Sequence, residues 1–196
     1  METHNQEKGC EWFKTIANAA YRAVEEIAPK NPYHNLEHNL DVANTAWMLA
    51  KRESMSDHDA FLAWLSGVFH DAIYEQGKED NEERSAQFAK DTLLKLGVSE
   101  GDALQVYCGI IPTKVPQCPK SRLEECVCDA DIANMGRPDF PVKSEKLRTE
   151  WGIDPETWTR KSAEILHCIR YRTEAGRTLF EEGRLANIRY LEAAIK

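Results

Sequence analysis

Residues 57–74 read DHDAFLAWLSGVFHDAIY, and this stretch decides what kind of molecule the chain becomes. From Asp57 onward it is apolar nearly all round a helix, through Phe61, Leu62, Trp64, Leu65, Val68 and Phe69. A helix with so little polar face belongs at the centre of a bundle. It ends, however, on His70-Asp71. An ionised carboxylate beside an imidazole on a central segment is costly unless something compensates. A bound cation would do so, and histidine with aspartate suits Zn, Mn, Fe, Co or Ni. Two plainer duties stay open for the pair taken alone: Asp71 capping a neighbouring helix, and His70 making a buried hydrogen bond.

Outward from that centre the chain reads as helix throughout, with no sustained strand alternation and no internal repeat. Apolar residues recur at helical spacing from Glu11 to Ile27, and Pro29 and Pro32 then break the chain. A second helix runs through Leu40, Ala43, Trp47 and Ala50. After the central helix, DNEERSAQFAKDTLLKLG (80–97) is amphipathic with a stop at Gly97, and GDALQVYCGII (101–111) is another helix. The segment PTKVPQCPKS (112–121) carries three prolines and must be a loop. Four more helices are expected: a short one around CVCDADIANMG (126–136), one near KSEKLRTEW (143–151), a long one through PETWTRKSAEILHCIRY (155–171), and a last one. That last helix sets Leu185, Ile188, Leu191 and Ile195 on one face, and the five tryptophans read as core. The expected fold class is an all-α bundle.

The length of 196 residues suits one domain, 1–196, with a proper core. A net charge of −8 argues against wrapping duplex nucleic acid, yet leaves room for a small phosphorylated substrate in a locally charged cleft. No apolar run approaches a membrane span, and the polar start METHNQEKG is not a signal peptide, so the expectation is a cytoplasmic protein. The six cysteines (10, 108, 118, 126, 128 and 168) then read as reduced thiols. Cys126 and Cys128 form a CxC without a second half to complete a zinc clip, so core packing is the better reading.

Two further pairs share the ambiguity of His70-Asp71. In YHNLEHNLDV (33–42), His34 and His38 stand about one turn apart at the entrance to a helix, which permits a metal site, an acid/base pair, or neither. In CVCDADIANMG, Asp129 and Asp131 lie among small apolar residues and point about 200° apart on a helix, so they do different jobs. One could face the core, where it too needs a cation, and the other solvent or a helix N-terminus; two capping aspartates are the plainer alternative.

Taken in order, YHNLEH, FHDAIY and DADIANMG resemble the metal-dependent phosphohydrolases of the HD-domain superfamily, in the branch that opens with YHNxxH. The likeness extends to DNEERSA, LRTEW, RYRT and the ANIRYLEA tail, and so covers nearly the whole chain. It implies an HD-domain helical bundle with one divalent cation, or less readily two, held by His38, His70, Asp71 and Asp131; Mg joins the metals named above. Asp131 is preferred over Asp129 because ADIAN is similar to the ADLSN that cyclic-nucleotide phosphodiesterases carry at their last ligand. In their YHNxxH pattern the second histidine binds metal and the first faces the leaving group, which makes His38 a ligand and His34 a proton donor. Such an acid contributes typically about 10²- to 10⁴-fold.

Further out, Asp80 and Glu82 follow the metal pair closely enough to orient water, unless they are a solvated loop. Arg148, in LRTE, is the favoured phosphate contact over Lys161, Arg170 and Arg172, and Tyr33 stacks or packs beside the site. No histidine lies between His70 and His167, which disfavours a two-iron oxygenase; His167 reads as a core residue. The expected function is hydrolysis of a small phosphate ester, a nucleotide or cyclic nucleotide included. The alternatives are the oxygenase and a non-catalytic module that binds metal or nucleotide. Substrate, metal identity and oligomeric state are not legible in the sequence.

Overall fold

The computed structural model describes residues 2–195, with side chains from residue 11 onward; Cys10 lies outside the described side chains. Among the described residues nine α-helices follow one another: α1 Glu2–Ile27, α2 Leu36–Arg52, α3 Asp57–Phe69, α4 Asn81–Lys95, α5 Glu100–Ile110, α6 Arg122–Asp131, α7 Phe140–Trp151, α8 Pro155–Cys168 and α9 Glu174–Ala194. Short 3₁₀ turns cover Ile111–Thr113 and Ala133–Gly136. Among the described residues the only strand-like feature is an isolated bridge between Lys30 and Asn35. The chain forms the all-α helical bundle expected of it. No described helix is long and apolar enough to cross a membrane.

Helix α3 takes the central place that its composition demands, packing against α1, α2, α4, α5 and α6. From Ala60 to Phe69 every residue but Trp64 is buried. Its crossing with α2 is unusually close: a Cβ on Gly67 would come within 2.5 Å of the Ala43 Cα. That contact brings one turn before Ala43 and the end of α3 side by side, which is where His38 and His70 sit. Serine, asparagine, aspartate and threonine caps start the helices: Asn35, Ser56, Ser99, Ser121, Asp154 and Thr173 each accept from the backbone N–H three residues on. A second, smaller apolar cluster of Phe140, Ala163, Leu166, Ile188 and Leu191 joins α7, α8 and α9.

Several local expectations need correcting. His34 is not on a helix, because Asn35 is the N-cap of α2 and accepts from His38 N at 3.1 Å. Helix α8 stops at Cys168 instead of running to Tyr171. The N–H groups of Arg172 and Thr173 are drawn instead to Asp129, whose carboxylate accepts both at 2.8 Å. Ile188 and Leu191 of α9 are buried, while Leu185, at the edge of their face, is exposed, and Ile195 is exposed because it lies just past the last helical residue, Ala194. His167 is exposed and paired with Glu192, not a core residue. Of the tryptophans, Trp158 is buried and the other four are partly so. Cys126 and Cys128 are buried free thiols, as core packing requires, while Cys108, Cys118 and Cys168 are exposed.

Candidate metal centre

Three helices deliver the cluster: α2 supplies His38, the end of α3 supplies His70 with Asp71 just beyond it, and the end of α6 supplies Asp131. His70 is fixed first. Its Nδ1 lies 2.8 Å from the Gly67 carbonyl, an acceptor only, so Nδ1 carries the proton and Nε2 turns to the cluster. Nε2 of His70 is 3.2 Å from Nε2 of His38 and 3.1 Å from Asp71 Oδ2. His38 Nε2 is 3.6 Å from Asp71 Oδ2, and Asp131 Oδ1 lies 3.6 Å from His38 and 3.5 Å from His70. His38, His70 and Asp71 offer ligand atoms that all fall within 4.8 Å of one another, a group that could hold a metal ion.

The donor set itself fits a cation. Two imidazole nitrogens facing each other cannot both present lone pairs at 3.2 Å without something positive between or on them. Among the protein's own groups, protons do that work. Burial pulls the His70 imidazole down, but Asp71 and Asp131 outweigh it and hold it well above the ordinary value. His38 is likewise pulled down by burial and raised overall through Asp131 and Asp71. Burial pushes Asp71 up, yet His70 and His38 hold it well below the carboxylate range; Asp131, opposed by burial in the same way, is held down to about 2 by His38 and His70. A divalent ion replaces those protons with a charge that all four groups prefer, and mixed nitrogen and oxygen donors suit the borderline metals.

His34 stands at the edge of this cluster, its Nε2 4.0 Å from Asp71 Oδ2. Its holder is Glu150, near the end of α7, a residue that reading LRTEW for Arg148 alone passes over. Glu150 Oε2 accepts from Tyr33 N at 2.8 Å and from His34 N at 3.0 Å, while Oε1 meets His34 Nδ1 at 2.5 Å. Burial raises the Glu150 carboxyl, but the His34 partnership outweighs it and leaves it below its ordinary value. Nδ1 is therefore committed to Glu150 and Nε2 is left to the cluster. Tyr74, in the quoted FHDAIY but assigned no role there, stacks on the His34 ring with centroids 3.7 Å apart and planes at 14°.

The other candidates fall into place around this core. Tyr33 is buried, with its ring 4.6 Å from that of His38. Burial, then Asp131, Asp71 and Asp41, keep its phenol protonated well above the usual value. Glu82 is partly buried and raised by burial first and then by the charges of Asp71 and Asp131, which lie within electrostatic reach of it. Asp80 is exposed and makes no side-chain cap for α4. Arg148 spends its guanidinium on Glu145, at 2.8 and 2.7 Å, and on the Ile153 carbonyl. Lys161 lies over the Trp151 ring, and Arg170 binds backbone carbonyls of its own turn. Arg172 reaches the Gln117 carbonyl, and the Gln117 amide in turn approaches Asp131 Oδ2 at 3.4 Å. The two close aspartates separate as their angular offset requires: Asp131 joins the histidines, and Asp129 binds the N-terminus of α9 through Thr173 N and Oγ1.

No family model and no curated protein sequence matches the chain. Among solved structures it is similar to the crystal structure of Bacillus subtilis YpgQ in complex with ADP. The TM-score is 0.67 at 19% identity, covering 91% of this chain and 97% of that one. At that identity the likeness establishes the helical architecture.

Proposed function

We propose that the chain is a metal-dependent phosphohydrolase that cleaves a small phosphate ester of nucleotide type. The observation that carries this reading is His34: an imidazole locked by Glu150 with its Nε2 turned to the His/Asp cluster. The ADP held by the similarly folded YpgQ supports a nucleotide as the substrate class.

His38, His70, Asp71 and Asp131 would hold the cation, one ion being sufficient for the reading. When bound, it supplies Lewis acidity toward the phosphoryl group and lowers the pKa of water. His34 would pass a proton from Nε2 to the departing oxygen, while Glu150 keeps Nδ1 occupied. Glu82, within electrostatic reach of Asp71 and Asp131, would accept a hydrogen bond from the attacking water; Asp80, in solvent, is the weaker candidate for that role. Tyr33 walls the site beside His38. Arg148 is a poor phosphate contact while Glu145 occupies it.

A two-iron oxygenase would want more histidine. Among the described residues, His58 is instead spent in a partly exposed pair with Asp102 and His167 in an exposed pair with Glu192. The test is a screen of purified protein against phosphorylated metabolites with Mn, Co, Ni, Mg and Zn. Asp71→Ala should lose metal and turnover together, and His34→Ala should keep metal but turn over slowly. A folded protein that takes up none of these ions, or that carries iron and consumes oxygen, overturns the reading.

A further inference from the structure

Glu150 does not by itself fix where the His34 proton goes. A single hydrogen bond to Nδ1 leaves the ring free to rock about the Nδ1···Oε1 axis, and Nε2 lies off that axis, so rocking swings it across the cluster. What blocks the motion is Tyr74. Its ring covers one face of the imidazole at 3.7 Å and 14°, while Tyr33 meets the ring edge-on with centroids 5.0 Å apart.

Tyr74 needs holding in its turn, since it lies in the non-helical stretch between α3 and α4. Two contacts do this. Ser85 Oγ accepts from Ile73 N and donates to Ile73 O, both at 3.0 Å, which fixes the backbone next door. Trp151 Nε1–H donates to the Tyr74 hydroxyl at 3.1 Å, which fixes the ring. Trp151 is itself wedged edge-on against Trp158, centroids 5.6 Å apart at 90°. Consecutive residues on α7 thus grip two stacked rings: Glu150 takes the imidazole and Trp151 takes the phenol beneath it.

We propose that Tyr74, tied by Trp151, is a positioning residue that aims His34 Nε2 at the leaving group, so that its contribution is confined to substrates whose leaving group needs a proton. The proposal rests on the proton-donor reading of His34. Its test compares matched alkyl and 4-nitrophenyl esters of the best phosphate found in the screen, using the full-length, metal-loaded protein. Nitrophenolate departs without a proton; an alkoxide does not.

Tyr74→Leu should lower kcat on the alkyl ester by about tenfold or more with KM unchanged, and leave the nitrophenyl ester within about twofold. Tyr74→Phe, which keeps the stacked ring, should restore most of the loss. Should Tyr74→Leu fail to fold, Trp151→Phe removes the hydroxyl's donor while keeping an aromatic ring at that position, and should show the same selective loss at smaller size. Histidine-labelled protein without added metal supplies an independent readout. The His34 ring protons should be shifted upfield by the phenol in wild type and in Tyr74→Phe, and should lose that shift in Tyr74→Leu. Equal slowing of both esters, or an unchanged His34 ring signal in Tyr74→Leu, overturns the proposal. If His34→Ala slows both esters equally, the proton-donor reading has failed instead, and the ring signal still reports whether Tyr74 holds the imidazole.

Discussion

Glu150 and His34, 116 residues apart in the chain, meet at 2.5 Å, and the other oxygen of the same carboxylate binds the backbone of His34 and Tyr33. One side chain therefore anchors the backbone that carries the proposed proton donor and sets its tautomer, leaving the aim of the ring to Tyr74. Glu150→Gln keeps the shape but presents an amide where a carboxylate accepted the Nδ1 proton. Turnover should fall about 10- to 100-fold while metal content and thermal midpoint stay near wild type. Parallel kinetics and metal analysis check it; loss of metal in this variant would tie Glu150 to the cluster rather than to His34.

Metal uptake should expel protons. His38 and His70 are both held above their ordinary values by Asp71 and Asp131 against the pull of burial, His70 strongly so, and both must be neutral to bind a cation. Affinity should therefore weaken as pH falls through the raised imidazole values and level off above them. Calorimetry in two buffers of different ionisation enthalpy should show net proton release on binding near neutral pH. Zero release would mean that the imidazoles are already neutral there.

Acid sensitivity has a second source at the Asp41–Arg137 pair, where Nη1 meets Oδ1 at 2.9 Å and Nη2 meets Oδ2. Burial pushes Asp41 up, but Arg137 outweighs it and leaves the carboxyl below its ordinary value. A carboxyl depressed by folding adds stability that is full above its unfolded pKa and disappears as pH falls through the folded one. Asp41→Asn should cost about 1 kcal/mol at neutral pH, the pair being half-buried, and nothing once the wild-type carboxyl is protonated. Urea midpoints measured at neutral pH and in the acid limb decide it.

Two glycines should behave oppositely. A Cβ on Gly183 would come within 1.9 Å of the Gly136 carbonyl oxygen, so α9 and the 3₁₀ turn at Ala133–Gly136 touch backbone to backbone. Gly183→Ala should destabilise by about 1–3 kcal/mol or more. Gly101, exposed in the first turn of α5, has only the Ser99 Oγ at 3.9 Å near its Cβ position. Gly101→Ala should be neutral or add about 0.5 kcal/mol, because it restricts only the unfolded chain. Denaturant midpoints of the two variants, moving in opposite directions, are the expected result.

How much of this was legible beforehand differs from residue to residue. The central helix was readable because continuous apolarity leaves a helix no other place. Asp129 and Asp131 were readable as a pair with different duties, because two positions on a helix diverge by about 200°. Which of them joined the histidines was not a matter of periodicity, and neither was the early stop of α8, since Asp129 captures Arg172 and Thr173 from across the fold. His34 and His38 do not share a helical face, because Asn35 caps α2 and the first helical residue is Leu36, two positions after His34.

Local chemistry written along the chain was enough to specify helices, caps, a buried centre and the kinds of group that would want a cation there. These follow from spacing and from the cost of burying polar atoms, both of which act over a few residues. Partnership across the bundle was settled only on folding. Glu150, Tyr74 and Trp151 carry no local mark that distinguishes them from ordinary surface or core residues. They acquire a role because α7 packs its last turn over the segment before α2 and the stretch after α3. A contact between residues more than a hundred positions apart depends on how helices cross, and crossing is decided by the packing of many side chains at once.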